Sequence, residues 1–107
     1  IIDGRTRDRF EGSVKEPRVG LRRGSIPSSH CLPFREVLNS NKTFKNLNDL
    51  ENIYYKILGS NIDNNIVFSC GSGVTACVLA LAYSLINNNY KPVIYDGSWA
   101  EYGKINK

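Results

Sequence analysis

The sequence predicts an α/β protein with a central parallel sheet and helices on both sides. Three observations carry that prediction. "NIVFS" (65–69) and "PVIYDG" (92–97) contain continuous apolar runs, as strands buried on both faces do. "NLNDLENIYYKILG" (46–59) and "VTACVLALAYSLINN" (74–88) have the length and apolar content of packed helices. Strand and helix signals alternate along the chain, which is the pattern of βαβ units.

Taken in order, "IID" (1–3) reads as the end of an apolar strand with nothing before it, so the chain is expected to be a piece of a longer protein. Residues 4–25 are polar and carry Gly4, Gly12, Pro17, Gly20 and Gly24, which makes them loop with one helical turn around Thr6–Phe10. A connection of that length suggests function. "HCLPF" (30–34) is a short strand stopped by Pro33, and "FREVLN" (34–39) a short helix. Leu47, Leu50, Ile53, Tyr54, Ile57 and Leu58 recur at helical spacing, with Asn46 or Asn48 as N-cap and Gly59 as the stop. One of Tyr54 and Tyr55 should face the core and the other solvent. The helix after "CGSG" is apolar almost all round and is expected to be buried. "PVIYDG" is a further buried strand, and "SWAEYGKI" (98–105) closes the chain as a short helix or loop.

The 107 residues suit one domain. Net charge is +4, and residues 1–35 hold eight basic and four acidic residues, whereas the remainder is balanced. All seven arginines fall in that first part, and the later basic residues are all lysines. Arginine presents a planar fork to carboxylate or phosphate, so the segment reads either as an anion site or as a solvated loop. A nucleic-acid surface is disfavoured, because acidic residues interrupt the cluster and no aromatic ladder accompanies it. Cys31, Cys70 and Cys77 are odd in number and fit no zinc spacing, which points to a reducing compartment. The cytoplasm is expected, with the mitochondrion as alternative. No apolar run is long enough for a membrane helix.

"SCGSGVTACV" (69–78) carries the chemistry. Cys70 follows a buried strand, where open parallel sheets collect ligands. A buried helix begins just afterwards, and its first N–H groups lack intrahelical partners. Gly71 and Gly73 let the backbone curl into a nest of donors, and Ser72 and Thr75 add hydroxyls. The cradle suits a thiolate or a small anion and requires neither metal nor cofactor. A phosphatase loop would need arginine six residues after the cysteine, and that residue is Ala76.

"CGSGVTAC" (70–77) resembles the active-site loop of the rhodanese-fold sulfurtransferases, and most of all the C-G-S-G-V-T loop of the 3-mercaptopyruvate branch. Thiosulfate sulfurtransferases typically carry bulkier, basic residues where Gly71 and Ser72 stand. "IIDGRTRDRFEG" is similar to the family's D-x-R…R-F segment, "EPRVGLRRGSIP" (16–27) to its E-P-R-x-G…G-H-I-P stretch, and "YDGSWAEYG" (95–103) to its Y-D-G-S-W motif. Ser25, Ser28 and Cys31 depart from the usual His, Gly and Asn.

The resemblance implies a rhodanese-like three-layer α/β/α fold. Residues 1–107 would form the catalytic domain without its first helix and strand, partnered in the full protein by an N-terminal rhodanese domain. Cys70 would take sulfur from 3-mercaptopyruvate as a persulfide, releasing pyruvate, and pass it to a thiol, thioredoxin or cyanide. Arg9 and Arg18 would bind the donor, Ser72 would move a proton to the leaving enolate, and Gly71, Gly73, Val74 and Thr75 would complete the loop. Thiosulfate as donor and a non-catalytic persulfide carrier are the alternatives. Elsewhere, His30, Cys31 and Cys77 read as structural, the cysteines as small buried residues. Asp3 and Arg5 read as a pair at the sheet's edge, Arg22 and Arg23 as surface residues, and Trp99 as packing for the last helix.

Overall fold

The computed structural model describes residues 1–59, 65–71, 73–87 and 90–104. Its elements are β1 (Ile2–Asp3), α1 (Arg7–Glu11), β2 (His30–Cys31), a 3-10 turn (Phe34–Val37), α2 (Leu47–Leu58), β3 (Phe68–Ser69), α3 (Ala76–Ile86) and α4 (Ser98–Tyr102). The strands are parallel in the order β2-β1-β3, and a bridge from Phe68 to Ile94 extends the sheet beyond β3. The chain therefore leaves β1 toward one side and returns to build on the other. The crevice where strand order reverses, above the carboxyl ends of β1 and β3, is where such sheets bind ligands.

Register divides the sheet into two chemically different faces. Ile2 pairs with Phe68, and Asp3 with both Ser69 and Cys31. Because side chains alternate along a strand, Ile2 and Phe68 share one face while Asp3, Ser69 and Cys31 share the other. The apolar face packs under α2 and α3. Tyr54, Phe68, Tyr83 and Tyr90 meet there, with ring centroids 5.1 Å apart for Tyr54–Tyr83 and 4.8 Å for Tyr83–Tyr90. The buried hydroxyls are satisfied: Tyr54 donates to the Leu79 carbonyl at 2.7 Å and Tyr90 to that of Ile66 at 2.8 Å. Asn46 caps α2 by accepting the Asp49 amide at 2.9 Å, and Gly59 ends the helix at φ 71°. Tyr54 is the core residue of its pair and Tyr55 the exposed one.

The polar face lies under the 5–26 loop and α4. Arg5 pairs with Asp3 and stacks on Trp99, 4.6 Å from the ring centroid. Asp3 and Arg5 thus stand at the end of the middle strand, not at the sheet's edge as expected. Trp99 also packs Tyr102 and donates its indole N–H to the Arg22 carbonyl at 2.7 Å. The layers are those predicted, but the second is thin: a long loop and one short helix.

Two expectations fail on burial. α3 is not buried all round, because Leu81 and Leu85 are half-exposed and Cys77 lies on the same side. The helix packs on the sheet along one side only, and an all-apolar pattern cannot say which side has a neighbour. The "PVIYDG" strand reduces to the single bridge at Ile94, with Val93 44% exposed, because it forms the sheet's outer edge. Among the described residues, no helix is long and apolar enough to cross a membrane.

Candidate functional site

Cys70 follows β3 directly and is 1% exposed. The chain then doubles back before α3, and the Gly73 amide donates to Cys70 Sγ at 3.0 Å. Gly73 sits at φ 96°, and a Cβ there would lie 2.6 Å from the Asp96 carbonyl oxygen. Only glycine lets the backbone pass that close in that conformation. The result is an amide dipole aimed at the sulfur, a contact that favours negative charge on it.

The first turn of α4 ties down backbone groups of Cys70 and Gly71. Trp99 N–H donates to the Cys70 carbonyl at 2.9 Å, and Ala100 N–H to that of Gly71 at 2.8 Å. These are first-turn amides without intrahelical acceptors, so the contact serves both partners. Cys70 N–H donates to Ser98 Oγ at 3.0 Å, and that hydroxyl donates to the Tyr95 carbonyl at 2.7 Å. With the carbonyls of residues 70 and 71 tied to α4, the Gly73 N–H is left to face Sγ.

An arginine covers the loop. A Cβ on Gly71 would lie 2.9 Å from Arg9 Nη2. Arg9 comes from α1, and its side chain is held by Glu16, whose Oε1 accepts from Nη2 at 2.7 Å. Glu16 also accepts from Arg5 Nη1 at 3.1 Å, and Arg5 binds Asp3 through Nε and Nη2. The ion pairs therefore run from the end of β1 to the cysteine loop.

Of the residues singled out from sequence, Cys70, Gly71, Gly73 and Arg9 come together. Arg18 lies further along the same loop, exposed, on a groove of about 330 Å3 lined with Lys15, Glu16, Val19, Gly20, Leu21 and Arg23. Glu16 joins this groove to Arg9. Val74 is 72% exposed, and Thr75 is half-buried at the start of α3 without a capping bond. Ser72 lies outside the described residues. Glu16 and Ser98 were not anticipated as site residues, although both stand inside motifs, "EPR" and "YDGSW", that had been read for other members.

The other cysteines divide. Cys77 is exposed, not the buried residue expected, and its thiol contacts the Gly73 carbonyl at 3.6 Å. It falls on the open side of α3. Cys31 is half-buried against the Arg5 carbonyl, and burial pushes its thiol up to about 11, against a smaller opposing effect of Arg7. A raised value means that the neutral thiol persists through neutral pH and titrates only near 11. At pH 8 only a small minority of Cys31 is thiolate. Iodoacetamide at pH 8 should therefore leave Cys31 unlabelled while Cys77 reacts, and peptide mass mapping that finds Cys31 labelled as fast as Cys77 would contradict this environment. Exposed His30 carries no contact to the loop among the described bonds.

Comparison with known proteins places this geometry. The rhodanese-like domain family matches over residues 1–104. The chain is 41% identical over 101 residues to the mitochondrial thiosulfate/3-mercaptopyruvate sulfurtransferase 1 of Arabidopsis thaliana, covering 94% of this chain and 26% of that protein. It is 42% identical over 104 residues to the 3-mercaptopyruvate sulfurtransferase of Escherichia coli K12, covering 96% and 36% respectively. The solved 3-mercaptopyruvate sulfurtransferase from Leishmania major superposes with a TM-score of 0.77 at 30% identity, over 94% of this chain and 28% of that one. The chain thus spans about a quarter to a third of the length of these relatives. With the family matched along nearly the whole chain, and with a buried cysteine cradled between a parallel strand and a helix, this protein belongs to the rhodanese-like domain family.

Proposed function

We propose that this domain transfers sulfane sulfur from 3-mercaptopyruvate to a thiol acceptor through a persulfide on Cys70. The observation that carries the reading is the Gly73 amide 3.0 Å from Cys70 Sγ, beneath an arginine that covers Gly71. A thiolate attacks the donor's sulfur, and its electron pair forms the new S–S bond. The donor's C–S bond breaks, and that pair leaves as the enolate of pyruvate, which takes up a proton. The acceptor thiolate then attacks the outer sulfur and Cys70 leaves as thiolate. Thioredoxin or cyanide fits the same second step.

The donor is an anion with a carboxylate, and Arg9 offers it a charged fork beside the nucleophile. Arg18 is the second donor-binding residue of this reading, reached from the groove beyond Glu16. Ser72 is assigned the proton transfer to the enolate. A sulfur as buried as that of Cys70 favours a small, thin donor, and the S–S bond of about 2 Å then carries the outer sulfur outward toward an acceptor. Thiosulfate, which would leave as sulfite, is the competing donor. Gly71 argues against it as the preferred one, since the bulkier, basic residue typical of thiosulfate sulfurtransferases would run into Arg9 at that position. The full protein is proposed to carry a further rhodanese domain, in keeping with the share of its relatives that this chain spans.

Intact mass of the full-length protein after incubation with 3-mercaptopyruvate, and separately with thiosulfate, tests the reading. One added sulfur atom with 3-mercaptopyruvate is expected, formed faster than with thiosulfate. Faster loading by thiosulfate would reverse the donor assignment. Loading only by a partner protein's persulfide would make the domain a carrier.

A further inference from the structure

We infer that Glu16 is a positioning residue for the anion-binding arginine, and that it acts by orientation and against the electrostatic interest of the site. This rests on the sulfur-transfer reading for its substrate. Glu16 is a carboxylate with a side chain only 1% exposed, next to a loop proposed to bind anions. A buried negative charge there opposes an incoming carboxylate. It is tolerated because two guanidinium groups share it: Arg5 Nη1 at 3.1 Å from Oε2, and Arg9 with Nη2 at 2.7 Å from Oε1 and Nε at 3.4 Å from Oε2. Asp3, Arg5, Glu16 and Arg9 together carry no net charge.

The two arginines differ in freedom. Arg5 has a fully buried side chain, with Nε and Nη2 on the Asp3 carboxylate, Nη2 on the Gly24 carbonyl at 2.6 Å and its guanidinium carbon over the Trp99 ring. It is an immobile post. Arg9 is 26% exposed, and Glu16 is its side-chain partner. A guanidinium has five N–H groups. Glu16 takes Nε–H and one of the Nη2 hydrogens, which leaves three for an anion on the edge that reaches over Gly71. Without Glu16, the long Arg9 side chain is free to sample rotamers that leave the loop.

Positioning and charge predict opposite signs. Glu16→Gln removes a negative charge and keeps the shape. If charge governs, donor binding improves. If orientation governs, kcat/KM for 3-mercaptopyruvate falls, by about ten- to a hundredfold for a charge-assisted clamp set loose. We expect the fall in the full-length protein, and less than about a twofold effect of the same change on an Arg9→Ala background, since nothing is then left to position. A gain in kcat/KM overturns the inference. So does an equal fall in both backgrounds, which would mark Glu16 as merely structural. Carboxymethylation of Cys70 by iodoacetate relative to iodoacetamide provides a reading independent of the donor. That ratio should drop in Glu16→Gln toward the Arg9→Ala value, and a ratio equal to or above wild type overturns the inference. If 3-mercaptopyruvate leaves no persulfide on wild-type protein while this ratio still drops, the donor assignment fails and the role of Glu16 stands.

Discussion

Replacing Cys70 with serine is expected to abolish persulfide formation with every donor, a loss of at least about a thousandfold, while the domain stays folded. The proposed nucleophile is a thiolate, and a serine hydroxyl at neutral pH offers neither the ionised form nor the affinity of sulfur for sulfur. The fold should survive because the smaller oxygen still accepts the Gly73 amide. The backbone bonds to Ser98, Trp99 and Ala100 do not involve the side chain at all. Intact mass after donor treatment reads the loss, and circular dichroism the fold. Sulfur still added to Cys70→Ser would move the chemistry to another cysteine, with exposed Cys77 first in line.

Gly73→Ala is expected to cost both stability and activity. Its φ of 96° lies where residues with a Cβ are strained, and the added carbon would sit 2.6 Å from the Asp96 carbonyl oxygen. Strain of this kind costs about 1–3 kcal/mol, and the obstacle is backbone, which yields only if the segment before α4 moves. Because Asp96 leads directly into α4, whose Ser98 and Trp99 hold Cys70, relief of the clash also moves Cys70. Gly71→Ala makes the contrast. The added methyl meets the tip of the Arg9 side chain at 2.9 Å, and that tip can swing aside. It should leave thermal stability within about 1 kcal/mol of wild type and weaken donor use instead. Thermal unfolding combined with kcat/KM on both variants checks this. Equal destabilisation by the two substitutions would refute the difference drawn between backbone and side-chain obstacles.

Much of the candidate site was legible because it is built from neighbours in sequence. Strand, cysteine, glycine loop and helix follow one another along the chain, so the placement of Cys70 and the need for glycine at 73 could be argued from sequence order and backbone sterics. The cap at Asn46 and the division of Tyr54 from Tyr55 followed from helical periodicity in the same way. Burial on α3 was not legible. Leu81 and Leu85 are as apolar as Leu79, and only the sheet's position decides that Leu79 is covered and the others are open. The roles of Glu16 and Ser98 depended on contacts across 7, 11 and 28 residues of chain, and no periodicity signals those.

By itself, the sequence determined the α/β class, the order of the elements and the cysteine at a strand end, because these rest on near-neighbour sterics and on alternation of apolar and polar residues. Tertiary structure decided where the arginines sit and what they touch. Seven of them lie in the first 35 residues and look alike in sequence. Folding buries Arg5 on Asp3 and Trp99 as a post, lays Arg9 over Gly71 under the hold of Glu16, and leaves Arg18 on an open groove. A guanidinium's function is set by which of its N–H groups are already bound and which still face solvent, and only the closed loop over the polar face of the sheet assigns them.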